Sequence, residues 1–408
     1  MDSPDEADVL QRLRQTPEIF ARLNTHSGGE LAIQRQLRSD YSGELVTAAI
    51  GIHEARRKAA GKLPEAEHLW LTRVGLEQST AWQVAQHKAA RFPQDERILD
   101  LCCGVGVDTA ALLTRSPVLA IDLNPAMALR CRWNNELWNA ELASRLVTTV
   151  EDVHAVELAG TLLHIDPDRR CGRDSAAKRL EQYSPDLAWM QHTVQVAAGG
   201  ALKLGPASNF MQKFPGCEIE LISLSGECKE ATVWFGSLAG KFAFRATHLP
   251  SGETLSADPL SAWCREAHSA CEYILDPDPA LVRSGLIDVC AEMHRMQRLD
   301  KEDEYLTADR LPDTRFVTAY RIEAALPNNL REIKRYLRSH PGGHYEVKCR
   351  RLSVDANAIQ KKLPKGDGPP RVLFFIRHGG KAVVVVSQRV KKTGEHGESN
   401  IDDARFRS

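Results

Sequence analysis

Residues 97–113 read RILDLCCGVGVDTAALL. An apolar run closes on an acid, Asp100, passes through the turn Gly104-x-Gly106, and continues as a segment with helical apolar spacing. This is a buried strand, a glycine turn and a helix in succession. Glycines at such a turn let the backbone approach a ligand closely. Downstream, PVLAIDLNP gives a second strand ending in Asp122, 22 residues after Asp100, and AMALRCRWNNELWNA gives the next helix. LVTTVEDV, TLLHIDP and GALKLG supply further strands, with SPDLAWMQHTVQVA as a helix between the last two. Strand and helix in alternation predict an α/β domain with a Rossmann-like, doubly wound parallel sheet. CEIELISLSGECKEATVWFGSL and KFAFRATHL add antiparallel strands at its end.

On the amino-terminal side, residues 1–92 read as a helical region, with apolar residues at i, i+3, i+4 spacing and Gly or Pro at the breaks. Its last helix, STAWQVAQHKAARF, has Ser79 as candidate N-cap and turns Trp82, Val84, Ala85 and Ala89 toward a core. The sheet domain is expected over residues 93–255, closing between Leu249 and Asp258, with a helical connector over 256–315. A small α+β unit over 316–392 follows, ending in the hairpin RVLFFIRHGGKAVVVVSQRV with its His-Gly-Gly turn, and 393–408 read as a disordered tail.

The chain has 408 residues, 43% hydrophobic and 26% charged, as expected of a water-soluble protein of two or three domains. No apolar run approaches the length of a membrane span; the best candidate, KAVVVVSQRV, is strand-like and flanked by cations. The opening MDSPDEADVL is acidic and has no apolar core, so no signal or transit peptide is expected. Ten cysteines without a C-x-x-C pair fit a reducing, cytoplasmic setting. Net charge is −1, yet residues 331–392 hold 16 Lys and Arg against four Asp and Glu. Such asymmetry points to a polyanionic partner or to a solvated lysine-rich face.

Asp100, Asp122, Asp152 and Asp166 each fall at a strand end, where open α/β sheets bind their ligands. An acid ending the second strand can accept hydrogen bonds from ribose hydroxyls. A dinucleotide turn calls for a third glycine, and position 109 is Thr. S-adenosylmethionine has no pyrophosphate and prefers acids near its ammonium, which Asp100 and Asp108 supply. Asp152 can accept the adenine amino group while the Val153 N–H meets a ring nitrogen; the alternative is a turn cap. Cys102 and Cys103 lie in the turn as small packers, because no neighbour in sequence lowers their pKa. In CREAHSAC, residues Cys264, His268 and Cys271 share one face if the segment is helical; with no partner pair, no metal is expected. Trp133 and Trp138 read as helix core, and His164 as a core histidine or a lining of the site.

ILDLCCGVGVDTAAL with VLAIDLNPAMALRCRWN resembles class I S-adenosylmethionine-dependent methyltransferases. LEQSTAWQVAQHKAARF with DLCCGVG looks like the subset that includes the trimethylguanosine synthases. HIDPDRR, GECKEATVWFGSL and YILDPDPALVRSGL look more narrowly like bacterial methyltransferases with a C-terminal THUMP-like domain. The resemblance implies that Asp100, Cys102, Gly104 and Gly106 surround the methionine end, Asp122 and Leu123 the ribose, and Asp152 and Val153 the adenine. It also implies RNA as the partner, met through the basic region 331–392.

The cofactor supplies the reactive methyl group, so the protein must align a nucleophile and help remove its proton. Asp166 is the candidate, kept extended by Pro167. Amino-methylating enzymes often carry Asp/Asn-Pro-Pro-aromatic at this place, and this chain has Asp-Pro-Asp-Arg. Arg169 and Arg170 then either stack on a base, hold a phosphate, or form a salt bridge to Asp168 or Asp174. The expectation is a methyltransferase acting on RNA, at a base amino group or ring nitrogen, with Asp166, Pro167 and Arg169 in the acceptor site. The rival is an RNA-binding protein whose methyltransferase fold is inactive.

Overall fold

The computed structural model describes residues 5–25, 29–170 and 176–390; Asp174 and the tail 393–408 lie outside them. The chain divides into two compact units, 1–252 and 253–408.

The first unit opens with α1 (Glu6–Arg14), α2 (Glu18–Thr25), α3 (Glu30–Arg38), α4 (Gly43–Ala59), α5 (Arg73–Gln78) and α6 (Trp82–Ala89). Ala81, not Ser79, precedes α6, and Ser79 instead terminates α5, its hydroxyl donating to the Leu76 carbonyl. The two helices are separated by a short extended turn, so the hydroxyl is two residues too early to cap the second. Then come β1 (Ile98–Leu101), α7 (Val107–Leu113), β2 (Val118–Asp122), α8 (Pro125–Trp138), β3 (Leu146–Val150), β4 (Leu162–Ile165), α9 (Leu187–Val196) and β5 (Gly199–Leu204). β6 (Glu218–Leu224), β7 (Glu227–Gly236) and β8 (Phe244–Leu249) complete the unit.

The strands lie in the order β3-β2-β1-β4-β5-β7-β6-β8. The first five are mutually parallel, and β7 pairs antiparallel with both β5 and β6. The order reverses between β1 and β4, which leaves a crevice at the carboxyl ends of these strands. One sheet face packs Ile98, Val118, Ala120, Leu162 and Ala201 against α6 and α7 residues such as Ala85, Ala89, Ala111 and Leu112. Burial of this kind contributes about 25 cal/mol per Å² of apolar surface.

The second unit holds β9 (Glu253–Ala257), β10 (Tyr273–Pro277), α10 (Pro279–Arg283), α11 (Ile287–Met293), β11 (Gln297–Arg298) and β12 (Leu306–Ala308). These are followed by β13 (Val317–Pro327), α12 (Leu330–Ser339), β14 (Tyr345–Cys349), α13 (Ala356–Gln360), β15 (Arg371–His378) and β16 (Lys381–Arg389). Its sheet runs β11-β12-β10-β13-β16-β15-β14. The stretch 256–315 is therefore no helical connector. β10 pairs along β13 from Tyr273↔Arg321 to Pro277↔Val317, because YILDP buries on the same sheet. CREAHSAC is not helical either; Cys264 is buried with its thiol toward the Met296 carbonyl, so its residues do not gather as a metal set. Gly379 and Gly380 both take positive φ, 56° and 74°, which lets a two-residue turn join β15 to β16.

The basic region is less free than its composition implies. Lys348 and Arg350 pair with Asp276, Arg350 and Arg351 with Glu304, Arg371 with Glu323, and Arg335 with Glu332. Arg331 and Arg338 of α12, and Lys361, Lys362 and Lys365 after α13, remain exposed. Both helices bury their apolar sides, through Ile333, Leu337 and Ile359, in one core with Phe375 and Val384, so these cations ride on one helical layer.

Candidate active site

The glycine turn is built from both sides. Cys102 and Gly104 take positive φ (61° and 55°), and the Gly104 N–H donates to Asp122 Oδ2 at 2.9 Å. The Asn124 N–H donates to the other Asp122 oxygen at 2.9 Å. Burial, joined by the charges of Asp100 and Asp166, pushes the Asp122 carboxyl up despite these two donors. A methyl group at Gly104 would meet open space, whereas at Gly106 it would lie 2.9 Å from the Cys131 Cα and 2.7 Å from the Asn135 amide. Gly104 thus keeps space open on the ligand side, and Gly106 lets α7 approach α8. Two asparagines of α8 brace the turn: Asn134 donates to the Val105 carbonyl at 2.9 Å, and Asn135 to that of Gly106 at 3.1 Å.

Asp100 is 0% exposed, and its carboxylate accepts from Thr109 on one oxygen and meets His164 Nδ1 at 2.8 Å on the other. It is tied to α7 through Thr109 and to β4 through His164. Thr109, which replaces the third glycine of a dinucleotide turn, supplies that bond. His164 Nε2 lies 3.2 Å from Lys88 Nζ, and Lys88 is 2.9 Å from Asp108 and 2.8 Å from Glu230. Burial opposes charge on Asp108, but Lys88, His164 and Lys203 outweigh it and hold the carboxyl well below the usual range. Lys88 is itself held above the ordinary lysine value, the two carboxylates overcoming its burial.

Leu123 is exposed and adjoins Asp122. Asp152 is exposed and caps a short turn, accepting from the His154 N–H at 3.0 Å and meeting His154 Nδ1 at 2.7 Å, while Val153 is buried. Burial pushes the Cys102 and Cys103 thiols well up, Cys131 acting first on Cys103, so neither is a nucleophile at neutral pH.

At the end of β4, Asp166 is 27% exposed at its side chain, and its Oδ2 lies 2.7 Å from Lys203 Nζ. Lys203 also donates to the Gln78 carbonyl at 2.9 Å. The β4–β5 register that sets Ile165 opposite Leu202 brings the next residues, Asp166 and Lys203, together. Burial pushes the Asp166 carboxyl up, and Lys203 restrains the rise. Pro167 is buried. Gln78 Nε2 donates to Asp168 at 3.0 Å, and Arg170 pairs with Glu77 at 2.7 Å rather than with an acid of its own loop. The end of α5 is thus clipped to the loop after β4. Lys203, Gln78 and Glu77 are absent from the set read in sequence. The one signal was a lysine inside the otherwise apolar strand GGALKL.

An open glycine, a carboxylate at the end of β2 and an exposed apolar neighbour fit S-adenosylmethionine. Residues 317–389 match the family model described as THUMP domain-like. An uncharacterised S-adenosylmethionine-dependent methyltransferase of Mycobacterium tuberculosis is 29% identical over 348 residues, covering 82% of this chain and 94% of that protein. The same match recurs in a second strain of that organism. A crystal structure of a candidate methyltransferase from Porphyromonas gingivalis shares the fold, with a TM-score of 0.73 at 18% identity over 95% of this chain and 99% of that one. Over most of its length the chain is thus similar to S-adenosylmethionine-dependent methyltransferases and shares the fold of one, and its residues 317–389 match a THUMP-like domain.

Proposed function

We propose that the enzyme methylates RNA, at a base amino group or ring nitrogen, with Asp166 in the acceptor site. The observation that carries this reading is the Asp166–Lys203 pair at the carboxyl end of β4, 2.7 Å apart and only partly open to solvent. Asp122 and Leu123 would hold the ribose, Gly104 and Cys102 the methionine end, and Asp152 with Val153 the adenine; Asp100 and Gly106 shape the turn from below. S-adenosylmethionine, when bound, supplies an electrophilic methyl group. Asp166 accepts the proton that an acceptor N–H loses, Pro167 keeps its backbone extended, and Lys203 keeps the carboxylate ionised and aimed. Because no aromatic follows Pro167, the acceptor must be held by other contacts, and Arg169 stands nearest in sequence.

RNA as acceptor is supported by the THUMP-like unit and by the exposed cations of α12 and the segment after α13. The test is incubation with methyl-labelled S-adenosylmethionine and total bacterial RNA, followed by nuclease or protease digestion. Label that nuclease removes is the expected result. Label that survives nuclease in a protein fraction contradicts the acceptor, and RNA binding without any label supports the inactive-fold rival.

A further inference from the structure

The loop after β4 carries two arginines in different states. Arg170 is committed to Glu77, and its own backbone N–H donates to Asp168 at 2.8 Å. The Arg169 guanidinium has no hydrogen bond or ion pair among the described residues, although the residue is half-buried. Its nitrogens keep contact with solvent, so the cation is open to a ligand and has no counter-charge among the described residues. The guanidinium lies against Gly205, the first residue after β5. A methyl group at Gly205 would lie 2.9 Å from Arg169 Nη1, 3.0 Å from Ser208 Oγ and 3.3 Å from Tyr183 Oη. Tyr183 is 4% exposed, and its hydroxyl shares a 2.5 Å hydrogen bond with Ser208. One proton serves that bond, which leaves the other hydroxyl proton for a ligand.

A guanidinium and a free hydroxyl proton therefore converge two residues beyond Lys203 on one strand and three beyond Asp166 on the next. We propose that Arg169, Tyr183 and Ser208 form a subsite for a phosphate of the acceptor strand, beside the nucleotide that Asp166 receives. The proposal rests on the acceptor-site reading of Asp166. The guanidinium fork offers parallel donors to two phosphate oxygens, and the hydroxyl meets a third. A carboxylate, with two oxygens, would leave one of these donors unused. A side chain at Gly205 would crowd both Arg169 and Ser208.

The test measures binding of a mixed-sequence single-stranded RNA oligomer to the full chain across a salt series, by fluorescence anisotropy. Arg169→Ala weakens binding about tenfold and lowers the slope of log K against log salt by about 0.7, one phosphate contact on a single strand. Arg169→Lys keeps the slope, while Ser208→Ala and Gly205→Ala weaken binding with the slope unchanged for Ser208→Ala. An Arg169→Ala variant with wild-type affinity and slope overturns the subsite, whatever the chemistry at Asp166. A wild-type chain that binds no RNA overturns the acceptor reading beneath it. Asp166→Asn separates the two, since it retains RNA binding if only the chemistry is lost.

Discussion

The β1–β2 end and the β4–β5 end of this sheet edge, proposed above as the cofactor side and the acceptor side, are built in opposite ways. At β1 and β2 the functional groups come from one contiguous stretch: Asp100, the glycine turn and Asp122 lie within 23 residues. Their geometry is set by backbone, through left-handed φ at Gly104 and Gly106 and the Gly104 N–H on Asp122. At β4 and β5 the groups come from separate places in the chain. Asp166 meets Lys203, 37 residues on, and Lys203 meets the Gln78 carbonyl, 125 residues back. Side-chain ion pairs set that geometry. Beneath both runs one buried chain of polar groups, from Glu230 through Lys88, Asp108 and His164 to Asp100.

The shared foundation gives the largest effect. Lys88→Met leaves Asp108 and Glu230 buried without their cation, at a cost of about 3–5 kcal/mol in a denaturant titration. It should damage both sides together, and a variant of wild-type stability would separate the network from the fold. Asp108 has a folded pKa below its unfolded value, so its stabilisation is present above the ordinary carboxylate range. It is lost as pH falls through the depressed folded value.

Asp122→Ala should act on one side only. With Asp122 in its proposed ribose role, losing the carboxylate is expected to weaken S-adenosylmethionine about 10- to 100-fold by calorimetry, with RNA affinity unchanged. A parallel loss of RNA binding would erase the distinction between the two sides.

Lys203→Met gives the smallest and most selective change. Asp166 must be ionised to accept a proton, so activity falls as pH drops through its raised pKa. Without Lys203 that pKa rises further, and the acid limb of the rate profile moves up by about one unit. Lys203→Arg should restore it, with cofactor affinity constant throughout. An unmoved limb in Lys203→Met would remove the lysine from the acceptor side.

The same contrast explains what could be read in the sequence. Strand, glycine turn, helix and the acid at each strand end follow from local periodicity, so the parallel sheet and the positions of Asp122 and Asp166 were legible. That Asp100 is tied to α7 and β4 was not, because its partners Thr109 and His164 sit on a helix and a neighbouring strand. Lys203, Gln78 and Glu77 depend on register and on the approach of α5, which no local pattern encodes. In the second unit, YILDP falls within the stretch read as a helical connector, and its strand character shows only in the pairing with β13. Net charge likewise overstated the free cations, since Asp276, Glu304 and Glu323, all outside 331–392, neutralise several of them.

The central claim is that transfer happens at the carboxyl end of β4 with Asp166 receiving the proton. Its most direct test is Asp166→Asn, assayed for methyl transfer to RNA and, on the same preparation, for S-adenosylmethionine affinity. The expected result is a loss of about 10²- to 10⁴-fold in turnover with cofactor affinity unchanged. Turnover that survives the substitution, or that falls only in step with cofactor binding, would contradict it.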